Sequence, residues 1–407
     1  MHNSPLEMVA SKYGTVVRYD AQGNPSIFVR IPKMRSKDLN ATLPDRVHPA
    51  FIINGVEQDS ILIGQFKAAE LESNGTLYSL PNLPPRVELG ADQLLERMRA
   101  FGGGASGKTA ADSGLILLLA AKMGWVPKGN NSYGVDYRDG TRYELNKALS
   151  VGDKRVFRGW EYECLVAHTT AAELRPDKSP KHWKRLKQLG GAMVPNSYLE
   201  TPNNHYNGYN TINGSGPLSW YLGNDPSGLC DLNGNCAEQD YGYRIVRGEL
   251  QILQDNNAAH PSADLSAGSA AWKAILPSSA DDSHTLVAPG TPGTLHWTWS
   301  NSKITLDTVE PTFDNEYRGT GFKDIVANAT NLPYVPAIVK ELGLFPCASD
   351  TTQGYVYNHF HVDERFPRRG GIYPYTSNAG LGFVYAYYAR GHAHVFFGAR
   401  PRLIENL

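Results

Sequence analysis

Cysteine is scarce in this chain: the 407 residues include only Cys164, Cys230, Cys236 and Cys347, too few for a disulfide scaffold. Cys230 and Cys236 are close enough in sequence to bridge one loop, but free, partly buried thiols are the expected state. No apolar run reaches the ~18 residues that span a bilayer; the longest, around Leu115 to Ala121, is far shorter, which argues against membrane insertion. The N-terminus lacks the charged-then-apolar layout of a signal peptide, so synthesis in a cytoplasm is expected. Net charge is −1, so the molecule as a whole has no bulk attraction to nucleic acid or membrane. There is no internal repeat and no low-complexity tract.

The most pointed absence lies near the end. From Phe366 to Leu403 there is no Asp, Glu, Lys, Gln, Met, Trp or Cys. The same stretch carries Arg368, Arg369, Arg390, Arg400 and Arg402, with five tyrosines and with His392 and His394. Without carboxylate or thiol it is poorly equipped for acid/base or thiol chemistry. Tyrosine and arginine, which give large contact area with a polar handle, equip it to hold a ligand. Its basic character predicts a local cationic, aromatic patch on a neutral molecule.

What is abundant is turn material, 40 Gly and 26 Pro, alongside 41% hydrophobic residues, enough for a sizeable core. Alternation on either side of Ala21-Gln-Gly-Asn24 predicts a hairpin over residues 13 to 33. A second is expected from His48 to Ile53 and Asp59 to Lys67 across Asn54-Gly55. Helical spacing marks Leu89 to Phe101, stopped by Gly102, and an all-round apolar helix is expected over Ala110 to Met123. Lys181 to Leu189 suggests a short basic surface helix. A hairpin is expected from Tyr243 to Gln254 through Arg247-Gly248. Residues 255 to 320 look like a polar insertion with an internal hairpin at Leu295 to Ile304. Val335 to Leu342 suggests a helix; strands are expected at Gly354 to Val362, Gly382 to Tyr388 and His392 to Phe397. Hairpins, two helices, loops and closing strands point to an α+β fold with antiparallel sheet.

One motif is deceptive. Gly102-Gly-Gly-Ala-Ser-Gly107-Lys108-Thr109 matches the phosphate-binding loop letter for letter. That loop needs a buried strand before it, yet the preceding Glu96-Arg97-Met98-Arg99 is charged and helical. A Gly-rich connection between helices, with Thr109 or Ser106 near the second helix start, is the preferred reading.

Another motif carries a resemblance. Asp231-Leu-Asn-Gly234-Asn235-Cys-Ala237-Glu238-Gln239 follows Gly214-Ser-Gly-Pro-Leu-Ser-Trp220 and resembles the D-L-x-G-N-V-W-E-W signature of formylglycine-generating-enzyme-like, or sulfatase-modifying-factor, domains. The likeness extends to His48-Pro-Ala-Phe51, to Trp125 with Gly129-Asn130-Asn131, to Ala263-Asp-Leu-Ser266, Leu286-Val-Ala-Pro-Gly290 and Leu342-Gly-Leu-Phe-Pro346. It ends with Arg369-Gly-Gly371 and Gly398-Ala-Arg400. It implies a C-type-lectin-like fold over residues 46–407, with the segment 1–45 as a hairpin for attachment or oligomerisation. It looks closest to the phage and prophage branch, which includes tail-associated receptor-binding proteins and variable proteins diversified by retroelements. The family's enzymes bind copper through cysteines between these last two elements; here that interval holds none, which predicts no oxidase activity. Some relatives bind calcium near the signature, where Asp231, Asn235 and Glu238 offer oxygen ligands; a turn closed by side-chain hydrogen bonds is the plainer expectation, and no cofactor is required.

In the retroelement-targeted relatives, randomised codons often end in a pyrimidine, and such codons cannot encode Lys, Glu, Gln, Met or Trp, the residues missing here from 366–403. On a strand, Phe383, Tyr385 and Tyr387 fall on one face and Val384, Ala386 and Tyr388 on the other. One face can hold the core while the other meets a ligand. Candidate contacts are Tyr373, Tyr375, Tyr385, Tyr387, Arg390, His392, His394 and Phe396. His359/His361 and His392/His394 each have the i, i+2 spacing of a chelating pair, though hydrogen-bonded or ligand-facing imidazoles are the default. The resemblance implies a phage-tail protein, acting as a homo-oligomer beside other virion tail proteins, that binds a bacterial surface protein or glycan. The rival readings are a structural tail subunit and an oxidase relative with altered chemistry.

Overall fold

The computed structural model describes residues 5–12, 14–71, 75–125, 134–136, 138–194, 210–232, 234–347 and 352–405. Within these the chain is a mixed α+β protein, mostly sheet, with few helices and much irregular loop. The expected Gly129-Asn130-Asn131 element and most of the loop after Pro195 lie outside the described residues. No helix among the described residues is long and apolar enough to cross a membrane.

Helix α1 (Pro5–Lys12) precedes the expected first hairpin, strands Thr15–Tyr19 and Pro25–Pro32. That hairpin is not a detached N-terminal piece. It forms one edge of a five-stranded sheet whose other strands are Ser60–Gly64, Pro401–Leu403 and Ala105–Gly107, in that order. The boundary expected near residue 45 therefore does not divide the sheet. Asn54-Gly55 makes its tight turn with both residues left-handed, but between two-residue strands, because Ser60–Gly64 leaves to pair with Pro25–Pro32.

Helix α2 (Ser36–Leu39) is a single turn; α3 (Ala91–Arg99) and α4 (Ala110–Lys122) are the two helices expected from spacing. Helix α4 is buried on nearly all sides, as its apolar composition requires. Helix α5 (Ala337–Glu341) lies so close to α4 that a Cβ on Gly114 would sit 1.9 Å from the Glu341 carbonyl oxygen; only glycine permits this approach.

Three expectations are corrected. Residues 183–188 form a strand, not a helix, packed in a three-stranded sheet against Trp160–Cys164; Arg185 lies over the Trp160 ring at 4.3 Å. Residues 255–320 are not a peripheral insertion. Strands Trp272–Pro277, His284–Val287, His296–Ser300 and Lys303–Asp307 join Glu249–Leu253 in a seven-stranded sheet, and Ile275, Leu295, Trp297, Ile304 and Leu306 enter the main core. Its polar loops between the strands conceal a buried apolar face. Finally, residues 392–396 form no strand, and only Phe397–Gly398 pairs.

Candidate functional site

The final strands meet in a six-stranded sheet ordered Tyr317–Gly321, Tyr355–His359, Gly380–Ala386, Arg368–Gly370, Ala237–Gln239, Phe397–Gly398. Alternation divides its side chains. Val356, Val384 and Ala386 point into the main core beside α4 and α5. Phe383 and Tyr385 point the other way, into a separate aromatic cluster with Tyr357, Tyr375, Tyr387, Tyr388 and Phe396 on its rim. The strand ends at Ala386, so Tyr388 escapes the expected alternation and joins this cluster, its ring edge-on to Tyr385 and Tyr387.

Register builds the face. Tyr357 pairs with Tyr385 across a parallel ladder, and Gly319 lies opposite Tyr357 across an antiparallel one. A Cβ on Gly319 would come within 2.3 Å of the Tyr355 ring and 2.7 Å of Tyr357, so the missing side chain is the space these rings occupy. Tyr317 stacks on Tyr357 with ring centroids 5.0 Å apart and planes 9° from parallel. Hydrogen bonds fix the tilt: Asn378 Nδ2 donates to Tyr357 Oη at 2.9 Å, and Tyr375 Oη to Tyr385 Oη at 3.3 Å. Tyr387 stacks on His359 at 4.7 Å, and Tyr388 on His392 at 3.8 Å. Such contacts hold wide aromatic surface with little side-chain freedom left to lose on binding.

The candidate residues thus separate by depth. Tyr385, at 7% exposure, forms a floor beside the buried Tyr373, which packs on Phe396, while Tyr375, Tyr387, His392, His394 and Phe396 are half-buried around it. Arg390, expected at the same site, lies over the Phe366 ring in another cluster. Tyr317, the most open at 40%, and Tyr355 and Tyr357 belong to the same face and were missed by the sequence reading. Tyr317 was hidden in the supposed insertion; the Tyr355-Val-Tyr357 alternation was the available signal.

The cationic character expected of this stretch is overturned. All five arginines are inside. Arg368 lies over the Phe397 ring at 4.2 Å and donates to the His392 carbonyl. Arg369 donates to the Gly343 carbonyl at 2.8 Å. Arg390 is clamped by Glu364 and Asp92, Arg402 lies 2.9 Å from Asp112, and Arg400 meets Glu238 at 2.7 Å. The forks of Arg390 and Arg400 are filled by carboxylates and carbonyls, whereas Arg368, Arg369 and Arg402 each keep at least one buried nitrogen without a hydrogen-bond partner. Burial holds His392 and His394 below the ordinary imidazole range, with Arg368 adding to the effect at His392. Burial also raises the phenols of Tyr317, Tyr357, Tyr375 and Tyr385. The face is therefore aromatic and uncharged near neutral pH.

The signature residues lie beneath it. Burial alone would raise the Glu238 carboxyl, but Arg400, Lys67 and Lys108 hold it well below the usual range; Lys67 Nζ is 2.6 Å away. Asn235 accepts the Thr211 N–H at 2.8 Å and donates to its carbonyl at 3.0 Å, fastening the turn. Asp231 accepts the Gly214 N–H through one oxygen, and its other oxygen is buried without a partner. Glu238 and Asn235 are thus engaged within the protein, whereas Asp231 keeps one buried oxygen without a partner. Lys108, the lysine of the deceptive loop, is buried against Asp240 at 2.8 Å, and Thr109 caps α4 by accepting the Asp112 N–H. Its Gly-rich segment runs into strand Ala105–Gly107, not around a phosphate cradle. All four thiols are free and buried, and burial pushes Cys236 up to about 11.

No protein-family model matches this chain, and no curated protein matches it.

Proposed function

We propose that this chain is a C-type-lectin-like, tail-associated receptor-binding protein of a phage or prophage, which holds a bacterial surface protein or glycan on its tyrosine face without chemical turnover. The observation that carries the reading is the two-sidedness of Gly380–Ala386: Val384 and Ala386 anchor the core while Tyr385 and Tyr387 support an open aromatic surface. A surface so built can change its outward residues without disturbing the fold, which suits a diversified binding site. Stacked tyrosines offer area for sugar faces or apolar protein side chains. The five arginines of 366–403 are buried, so this stretch presents no guanidinium to attract an anionic ligand. Recognition without catalysis fits a face built chiefly of tyrosine rings, with phenylalanine and histidine beside them. A homo-oligomer within a tail would raise the avidity of individually weak sites.

The test is the double variant Tyr317→Ala with Tyr387→Ala. Loss of host-cell binding, with particles assembled normally, supports the proposal. Loss of assembly identifies the face as a contact between virion subunits instead. Diversification is tested separately: a reverse-transcriptase gene beside a near-copy of the coding segment for 366–403, differing at adenines, is the expected arrangement.

A further inference from the structure

A cavity of about 160 Å³, lined by none of the tyrosine-face residues, opens between the start of α4, α5 and the end of strand Glu249–Leu253. Its walls are apolar: Ala111, Ile252, Leu286 and Ile338 line it. Its mouth is polar, with Arg46 and His284 on the rim. The two differ in commitment. Arg46 is ion-paired with the buried Glu341 carboxylate, so its charge is already balanced. The half-buried His284 ring has no hydrogen-bond partner among the described residues. Burial, with Arg46 nearby, holds that imidazole below its ordinary range, so near neutral pH it is an uncharged donor and acceptor.

The rim is also strained. Asp255 and Asn256, which line the same cavity, are consecutive non-glycine residues with φ of 49° and 48°. Two left-handed residues in succession persist only where the surroundings dictate them, and such strain gathers at binding sites. Here the corner is tied by the Asn54 N–H donating to Asn257 Oδ1 at 2.6 Å and by the buried Ala258 and Ala259 that follow.

We infer that this cavity is a binding site for a compact, uncharged molecule of about one ring, its apolar body against Ala111 and Leu286 and a single hydroxyl or carbonyl at His284. The volume matches one ring, because cavities near 150 Å³ with aliphatic walls accept benzene. Arg46 is already neutralised by Glu341 and the Asp255 carboxylate is exposed to water, so neither charge calls for a charged ligand inside the apolar cavity. This inference is independent of the tyrosine face.

The test uses the full chain with phenol as probe and benzene as the same ring without its polar end, read by ligand-observed NMR. Wild type is expected to bind phenol saturably. His284→Leu is expected to weaken phenol about fivefold, the worth of one hydrogen bond, and to leave benzene unchanged. Ala111→Leu, which fills the cavity from α4, is expected to abolish both. Leu286→Trp fills it from a half-buried position of the wall and serves if Ala111→Leu fails to fold. No saturable phenol binding by wild type overturns the proposal. So does undiminished phenol binding by a filled variant that melts like wild type, or equal phenol affinity for wild type and His284→Leu.

Discussion

Tyr317 lies flat on Tyr357 because the residue opposite Tyr357, Gly319, has no side chain to hold the rings apart. The relationship makes a small backbone position a determinant of an aromatic surface, and it can be tested directly. Gly319→Ala places a methyl group where the Tyr355 and Tyr357 rings now lie. Overpacking of this kind costs about 1–3 kcal/mol, here moderated because both rings are half-exposed and can swing outward. Urea denaturation is expected to show the lower half of that range, with a larger loss in ligand binding than in stability. Unchanged near-ultraviolet circular dichroism would show that the rings do not depend on the glycine.

Depth within the cluster predicts opposite phenotypes for neighbouring tyrosines. Tyr385→Ala removes a buried ring and is expected to cost roughly 3–5 kcal/mol. Tyr387→Ala, on the half-buried rim, is expected to cost about 1 kcal/mol and to act mainly on binding. Denaturant midpoints for the two variants check the order, and a reversal would place the floor and rim the wrong way round.

Glu238 is a single carboxylate answering Lys67 and Arg400, with Lys108 close by. Glu238→Gln leaves buried cations short of countercharge and is expected to destabilise by about 3–5 kcal/mol. Its folded carboxyl titrates below its unfolded one, so as pH falls the unfolded chain takes up the proton first. The stability it contributes is complete above the unfolded value, ~4.3. It drains away as pH falls toward the lower folded value. Chemical denaturation in steps from pH 6 to pH 3 should show a steeper loss for wild type than for Glu238→Gln.

His48 sets a second pH dependence in a higher window. Its Nε2 hydrogen-bonds to the Glu341 carbonyl and its Nδ1 accepts the Ala50 N–H, so only the neutral ring fits both partners. Burial lowers it to about 4, against 6.5 ordinarily. Between those values the unfolded chain binds a proton that the folded chain refuses, and stability falls as pH drops from 6.5 toward 4. The loss at the low end amounts to about 3 kcal/mol at most. His48→Gln is expected to lower stability at pH 7 but to flatten the slope between pH 7 and 4; an unaltered slope would assign the effect elsewhere.

Local signals were legible in the sequence where chemistry is local. Arg247-Gly248 and Asn54-Gly55 turn where left-handed residues require it, and α3 and α4 follow their spacing. Failures came where distant partners decide. Lys184 to Gln188 carries a helix-like run of charge but pairs with Trp160–Cys164, and tertiary pairing overrides propensity in such short segments. The arginines of the final stretch read as surface because no carboxylate lies within the stretch itself. Glu364 is near enough in sequence to have signalled a partner for Arg390, but the carboxylates that meet Arg400 and Arg402 stand far earlier, at Glu238 and Asp112. Likewise alternation separates Phe383, Tyr385 and Tyr387 from Val384 and Ala386, yet Tyr317, Tyr355 and Tyr357 join the tyrosine side only through pairing that no single segment reveals.

The placement of Pro401–Leu403 between Ser60–Gly64 and Ala105–Gly107 has a consequence for biosynthesis. Two strands made early wait, with open hydrogen-bonding edges, for three residues translated almost three hundred positions after the second of them. During that interval the nascent sheet is exposed to mispairing with neighbouring chains. A message cut short anywhere before codon 401 leaves this gap unfilled, so intact frames are confined to chains whose aromatic segment has been translated in full.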